Sequence, residues 1–381
     1  MRVVMVIQRY HPFVGGAERQ LGQLSSRLQK RGVEVTVLTR RFANLPAFEM
    51  VDDIPVYRLP APGPKPLAAA VFIVSALWRI RALKPDIIHA HELLSPATVA
   101  LYGKRLFGGR AVAKVLSSGD RGDIHKIVTR FGASARIRSL RENLDGFIAV
   151  SHEVEAELEG IGIPAEKRFY IPNGVDTQRF SPIPAEDKAR LCADLGLDSA
   201  SPIVIYVGRL HPLKRVDLLL EAWPAVRAEH PNSRLLVIGT GPEETALRQR
   251  RVEGVDFLGQ KEDVIPYLHA ADAYVLPSAR EGLSNSLLEA MSTGLPAIAT
   301  AVSGTPDVIR HEREGLLIPA NDGPALQSAL LRLLGDASLR LRLGAQGRAH
   351  IEAHYSMDAA VERVMELYEG LLRVTPRCEV P

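Results

Sequence analysis

Hydrophobic and polar positions along this chain follow two alternating rhythms. Short β-branched runs, VVMVI, VEVTVLT, DIIHAH and FIAV, read as buried strands, and RFYIPNGVD ends this half. Between them, apolar residues spaced three or four apart predict helices, as in AERQLGQLSSRLQKRG and SHEVEAELEGIG. Ser151 is placed to cap the second of these, although Val154 three residues on leaves no full capping box. A second series begins at IVIYVGRL and continues through VDLLLEAWPAVRAEHP, RLLVIGTG, VDFLG, AYVLP and AIAT. Short strands separated by helices imply parallel strands joined by right-handed crossovers, so the pattern predicts α/β sheets of the open, doubly wound kind.

At 381 residues the chain is too long for one ordinary core. The Pro-, Ala- and Ser-rich segment SPIPAEDKARLCADLGLDSASP (181–202), helical in its middle, reads as the connection between two domains. The expected division is 1–180 and 181–356, with MDAAVERVMELYEGLLRV forming a long amphipathic helix at about 357–375. Two consecutive doubly wound domains place a cleft where the carboxyl ends of their sheets face each other.

Composition narrows the class. Charged residues at 24% and apolar ones at 46% describe a soluble globular protein. Cys192 and Cys378 lie far apart and suggest neither a disulfide framework nor a zinc knuckle. MRVVMVIQRYH reads as a first strand rather than an export signal, and the longest apolar run, LAAAVFIVSALW (67–78), falls short of a membrane span. A cytoplasmic protein is therefore expected. The net charge of +3 hides an asymmetry: residues 1–180 carry 26 Lys+Arg against 17 Asp+Glu. Basic residues concentrate at 125–141, where Lys126, Arg130, Arg136, Arg138 and Arg141 interleave with apolar side chains. Such an element either rests on anionic lipid or is a helix with an ordinary charged exterior.

The stretch SAREGLSNSLLEA (278–290) carries the sharpest chemistry. It leaves a strand at Pro277 and enters a helix, with Glu281 on the turn and Glu289 about one turn into the helix. Ser286 to Glu289 matches the S-x-x-E capping box. A helix start offers unpaired N–H groups and partial positive charge to an anion, whereas carboxylates accept hydrogen bonds from sugar hydroxyls. In YVGRLHPLKRVD, Arg209 and Lys214 follow another strand end and can neutralise a diphosphate from two directions. Two basic groups, a helix start and two carboxylates at one sheet edge fit a nucleoside diphosphate sugar. Gly15-Gly16 after the first strand permits close backbone approach, but neither it nor GTGPEE (239–244) completes the G-x-G-x-x-G of a nicotinamide site.

PFVGGAE, DIIHAH, IPNGVDTQRF, VGRLHPLKRVD, LLVIGTGPE, VDFLG and ADAYVLPSAREGLSNSLLEAM, in that order, resemble the retaining glycosyltransferases of family 4, or group 1. The resemblance runs over essentially the whole chain. It implies the GT-B fold, two Rossmann-like domains facing a central cleft, with the donor on the second domain and the acceptor on the first. It implies that Arg209 and Lys214 hold the diphosphate, that Glu281 contacts the donor sugar and that Glu289 contacts the ribose. Backbone amides of Gly282, Leu283 and Ser284 would complete the phosphate cradle, and Gly16 would approach from the first domain. Arg209, Lys214 and Glu281 are then the catalytic candidates. The family's usual T-V-H-G histidine is missing: the corresponding run is AVAKVLSSGDRGDIHK. Gly15, His91, Ser118 and Asp120 are the acceptor-side candidates. The expected reaction moves a sugar to an acceptor hydroxyl with retention, as a step of polysaccharide or glycolipid synthesis. The sugar nucleotide is a co-substrate and no cofactor is needed. With no D-x-D pair, metal independence is expected. Partners are the donor, a carbohydrate, lipid-linked or small-molecule acceptor, and an anionic membrane met peripherally through 125–141. An epimerase of the same fold, a silent sugar-nucleotide-binding protein and a dehydrogenase are the competing readings.

Overall fold

The computed structural model describes residues 1–13, 15–120 and 122–373. The chain divides into two compact units, Met1–Asn173 joined by the chain from Met357 onward, and Gly174–Ser356.

The first unit opens with β1 (Arg2–Val6), α1 (Gly16–Lys30), β2 (Glu34–Arg40), β3 (Phe48–Val51), β4 (Ile54–Leu59) and α2 (Lys65–Leu83). It continues with β5 (Ile87–His91), α3 (Ser95–Phe107), β6 (Arg110–Val115), α4 (His125–Val128) and α5 (Ala133–Asn143). β7 (Gly146–Ala149), α6 (His152–Gly160) and β8 (Arg168–Tyr170) complete this stretch. The sheet order is β3-β4-β2-β1-β5-β6-β7-β8. β1 and β5 are buried almost end to end, as strands covered by helices on both faces must be. Its neighbours pair in parallel except at one edge, where β3 runs antiparallel to β4. The purely parallel expectation is corrected there: Asp52 and Asp53, both at positive φ, make a tight turn that needs no crossover helix.

In the second unit, α7 (Ala185–Asp194) precedes β9 (Ile203–Val207), α8 (Val216–Glu229), β10 (Arg234–Ile238), α9 (Glu244–Gln249) and β11 (Val255–Gly259). Then follow α10 (Ile265–Ala270), β12 (Ala273–Leu276), α11 (Asn285–Ser292), β13 (Ala297–Thr300), α12 (Thr305–Val308) and β14 (Leu316–Ile318). α13 (Gly323–Gly335) and α14 (Ala337–His354) end the unit, and α15 (Met357–Arg373) returns to the first. The six strands are parallel in the order β11-β10-β9-β12-β13-β14. α15 buries Val361, Val364, Leu367 and Tyr368 in one cluster with Leu21, Leu24 and Leu28 of α1.

Three boundaries differ from the sequence reading. Residues 174–180 group with the second unit because Val175 bridges Ser356 and Phe180 is buried, its carbonyl accepting from Ser292 Oγ and Arg348. The 181–202 stretch is not a linker. Its helix α7 packs on α10, buries Cys192, and ties Lys188 to Asp272 and to the Ala271 carbonyl. The apolar run at 67–78 sits inside the 19-residue α2, which is long and apolar enough to cross a membrane by length and composition. Flanking Lys65, Pro66 and the RIRAL segment all continue the helix. Cys378 and residues 374–375 of the expected last helix lie outside the described residues.

Candidate active site

In the second unit, β9 comes first and its successors β10 and β11 lie on one side of it, while β12, β13 and β14 lie on the other. The chain therefore reverses direction between β9 and β12. In open α/β sheets the crevice outside the carboxyl ends of such a strand pair is where ligands bind. The two loops at this point are 208–215 and 277–284, which hold Arg209, Lys214 and Glu281.

The β9 loop is fixed from behind. Its Gly208 amide bonds to the Ile238 carbonyl, Leu210 to Thr240, and Tyr206 Oη donates to the Arg209 carbonyl. Gly239 and Gly241 serve this packing: a Cβ on Gly239 would stand 1.9 Å from the Gly208 oxygen, and one on Gly241 2.2 Å from the Leu210 oxygen. The GTG run is thus a platform for the loop carrying Arg209. Across the switch point, the Ala279 amide donates to Leu213, and Lys214 Nζ pairs with Glu281 Oε1 at 2.5 Å. Ser278 Oγ, fully buried, donates to the same oxygen at 2.6 Å. Glu281 Oε2 has no hydrogen bond among the described residues, and the exposed guanidinium of Arg209 likewise has none. The Gly304 amide donates to the Gly282 carbonyl, anchoring the far side of the loop to the turn after β13.

The capping box is corrected. α11 begins at Asn285 and its N-cap is Ser284, whose Oγ accepts from the Leu287 amide. Ser286 instead lies in the first turn and bonds to Tyr274 Oη at 2.8 Å and to Ser284 Oγ at 3.2 Å. Gly282, Leu283 and Ser284 lead into this helix start, and Glu289 sits in its second turn, 7% exposed. Burial first, and then the carboxylates of Glu281 and Glu289, push the Tyr274 hydroxyl far above its ordinary range. Tyr206 is raised too, by burial first and then by Tyr274 and Glu281. Tyr206, Tyr274 and Ser278 were missed in the sequence. A tyrosine near the end of each strand at the switch point was the only trace, and strand order was needed to read it.

The first unit has the same topology of reversal, between β1 and β5. There Gln8 Nε2 donates to Glu92 Oε2 at 2.9 Å. Glu92 holds φ at 88°, a left-handed conformation rare for a side chain of its kind. Burial, reinforced by nearby Asp123, raises its carboxyl to about 7. Asp123 accepts from the Leu116 amide and from Lys126 Nζ, and Arg40 at the end of β2 bonds to Ser95. Gln8, Arg40, Glu92 and Asp123 were not singled out in the sequence, and the positive φ had no sequence signal.

The candidates named for this unit scatter. Gly15 is the N-cap of α1 and Gly16 its first residue. His91 is 1% exposed, stacked on His89 with centroids 4.4 Å apart, and His89 Nδ1 lies 2.6 Å from Tyr368 Oη. Burial lowers both imidazoles, His89 to about 3, so the pair is neutral core. His91 faces no surface in this structure. Lys114, buried and bonded to Asn173 Oδ1, is lowered by burial to about 8. Ser118 is fully buried against Glu153 Oε2, whereas Asp120 is exposed. Of 125–141, Arg136 is spent on α3: it donates to the Leu93 and Leu94 carbonyls and to Thr98 Oγ1. The reading of Arg136 as lipid-facing is corrected accordingly. Among the described residues, no group of three or more His, Cys, Asp or Glu is placed to hold a metal ion.

Comparison with known proteins agrees with this geometry. Residues 14–179 match the model described as Glycosyltransferase Family 4, and residues 201–336 the one described as Glycosyl transferases group 1. A Corynebacterium glutamicum relative, GDP-mannose-dependent monoacylated alpha-(1-6)-phosphatidylinositol monomannoside mannosyltransferase, is 27% identical over 97% of this chain and 98% of its own. The phosphatidyl-myo-inositol mannosyltransferase of Mycobacterium leprae is 29% identical, over 97% of this chain and 96% of its own. Among solved structures, the sucrose-phosphate synthase of Thermosynechococcus elongatus superposes with a TM-score of 0.84 at 26% identity, covering 98% of this chain and all of that one. Anabaena HepE in complex with UDP-glucose gives 0.80 at 19%, over 97% of this chain and all of its own, a likeness of fold.

Proposed function

The chain belongs to the glycosyltransferases of family 4, with the GT-B class of fold and a sugar nucleotide as donor, and from that premise we propose a retaining, metal-independent hexosyl transfer. Lys214 and Arg209 meet the diphosphate, the first turn of α11 offers amides to it, and Glu281 receives a donor-sugar hydroxyl on its open Oε2. Glu289 takes the ribose. As the anomeric C–O bond lengthens, negative charge grows on the departing diphosphate, and fixed positive groups stabilise that growth more than the ground state. The acceptor oxygen forms its bond to the anomeric carbon on the face the diphosphate leaves, and its proton passes to a departing phosphate oxygen. On the acceptor side the reading adds Gln8, Glu92, Arg40 and Asp123 at the first unit's switch point. The acceptor is a glycan, glycolipid or small molecule. The protein acts in the cytoplasm, in peripheral contact with an anionic membrane.

The observation that supports this reading is the Lys214–Glu281 pair, a cation and a carboxylate across the strand reversal, the kind of place where open α/β sheets bind ligands. A thermal-shift screen of nucleoside diphosphates and their sugars tests it, since a ligand of the native state raises the melting temperature. Incubation of the best donor with glycan and glycolipid acceptors, with and without EDTA, follows. Product with the donor's anomeric configuration and an unchanged rate in EDTA is expected. Conversion of the donor alone would make the protein an epimerase, and binding without turnover a silent receptor.

A further inference from the structure

Helix α2 is apolar on two opposite faces. Ala68, Phe72, Ala76 and Ile80, four residues apart, form its buried stripe. On the other side of the cylinder Leu67 is 53% exposed, Val74 55% and Trp78 67%. A helix apolar all round is ordinarily enclosed, yet only 22% of the most apolar window of α2 is buried. It cannot leave its unit to span a bilayer without stripping the inner stripe: Ile80 packs on α3 at Gly103, where a Cβ would meet Ile80 Cδ1 at 3.2 Å and Ile88 Cδ1 at 2.7 Å. α3 adds Tyr102 and Leu106, one turn apart and 43% and 61% exposed, and α5 packs on α3 in turn. The turn before α5 projects Phe131 wholly into solvent.

Charge on these elements is of one sign but for Glu142, exposed near the end of α5. α2, α3 and residues 124–141 contain no Asp or Glu at all, while Lys65, Arg79, Arg81, Arg105, Arg130 and Arg138 are exposed along them. The Arg81 guanidinium lies 5.8 Å from the Trp78 ring, a pairing of aromatic and cation suited to the headgroup level of a bilayer. A protein partner matched to this surface would need an acidic, concave counterpart. A bilayer with anionic headgroups supplies apolar depth and negative charge together, with no particular shape required.

We infer that the exposed stripe of α2, with Tyr102 and Leu106 of α3, is an interfacial docking surface for an anionic phospholipid bilayer, on which α2 lies flat, its outer side chains at acyl depth. The contact moves from the 125–141 segment to α2, with Phe131 at its margin. It does not rest on the glycosyl-transfer reading, because vesicle binding needs no sugar nucleotide, and either can fail alone.

The test uses the full chain with vesicles of phosphatidylcholine containing one-third phosphatidylglycerol, and with phosphatidylcholine alone. The only other tryptophan, Trp223, is fully buried, so emission changes report Trp78. Expected are co-sedimentation with the anionic vesicles at least tenfold above the neutral ones, a blue shift of emission, and quenching by brominated acyl chains. Val74→Glu with Leu67→Glu, both at exposed positions, should lower partitioning at least tenfold and leave the melting temperature unchanged. Equal binding to both vesicles, anionic binding without a shift in Trp78, or binding insensitive to the double change would overturn the inference. So would a concentration-dependent dimer abolished by the same changes, which would make a second copy the occupant.

Discussion

The two units share a reversal of strand order and differ in what they place at it. Between β9 and β12 stand a lysine and a glutamate in contact, with an arginine on the same loop whose guanidinium has no hydrogen bond among the described residues. Between β1 and β5 stand a glutamine and a glutamate whose carboxyl is pushed up to about 7. The first arrangement meets permanent negative charge with permanent positive charge. The second holds a carboxyl that is partly protonated near pH 7 and trades hydrogen bonds, which suits hydroxyls. A shared fold thus constrains where a site lies, and the side chains at the two strand ends decide what it takes.

The sharpest way to break this contrast is to remove one member from each site. Lys214→Ala or Glu281→Ala should lower transfer by roughly 100- to 1,000-fold, about 3–4 kcal/mol in the transition state, and Lys214→Ala should erase the thermal shift given by a nucleoside diphosphate. Glu92→Ala should keep that shift and raise the acceptor KM instead. If Glu92→Ala abolished donor binding while Lys214→Ala spared it, the assignment of the two sites would be reversed. Next in size is Gly241→Ala. A methyl 2.2 Å from the Leu210 carbonyl must displace the β9 loop, weakening donor binding at least tenfold and the fold by on the order of 2 kcal/mol. Gly160→Ala in α6, where nothing lies within 4 Å, is the control and should be neutral or slightly stabilising.

Titration sharpens the first unit's side. Glu92 is raised from 4.5 to about 7, so the unfolded chain ionises first and stability declines as pH climbs from 4.5 to 7. His89 is depressed from 6.5 to about 3, so its contribution is complete above 6.5 and declines as pH falls towards 3. Neighbouring positions on one strand end therefore carry opposite slopes. Melting curves from pH 4 to 8 should show Glu92→Gln gaining on the wild type at pH 8, by on the order of 1–3 kcal/mol. His89→Gln should flatten the acid limb below 6.5, while the lost Tyr368 contact lowers the whole curve at every pH. Parallel curves for wild type and Glu92→Gln would show that this carboxyl is not perturbed.

Much of the second unit's site was legible because its parts are local. Arg209 and Lys214 lie five residues apart after one strand, and Glu281 follows another, so motif order brought them to one sheet edge before strand order was known. What could not be read there was contact: Ser278 and Tyr274 matter through burial against Glu281, which no spacing encodes. The first unit misled through histidines. In DIIHAH the residues at 89 and 91 share a face, and Tyr368 of α15, arriving from the far end of the chain, meets His89 on it. Glu92, one residue later, escapes that cover. Likewise the S-x-x-E pattern was sound as a string, but the helix began two residues earlier and Ser284 took the cap.

From residue order alone came the alternation of strands and helices, the presence of two α/β units, and the grouping of cations with carboxylates in the second, because each depends on periodicity or on neighbours a few positions apart. Strand order, the enclosure of His89 and His91, the elevated Glu92 carboxyl and the apolar outer face of α2 depend on what the rest of the chain covers. Burial and electrostatic environment are properties of residues distant in sequence brought together, and a linear pattern does not state which of its apolar faces the fold leaves bare.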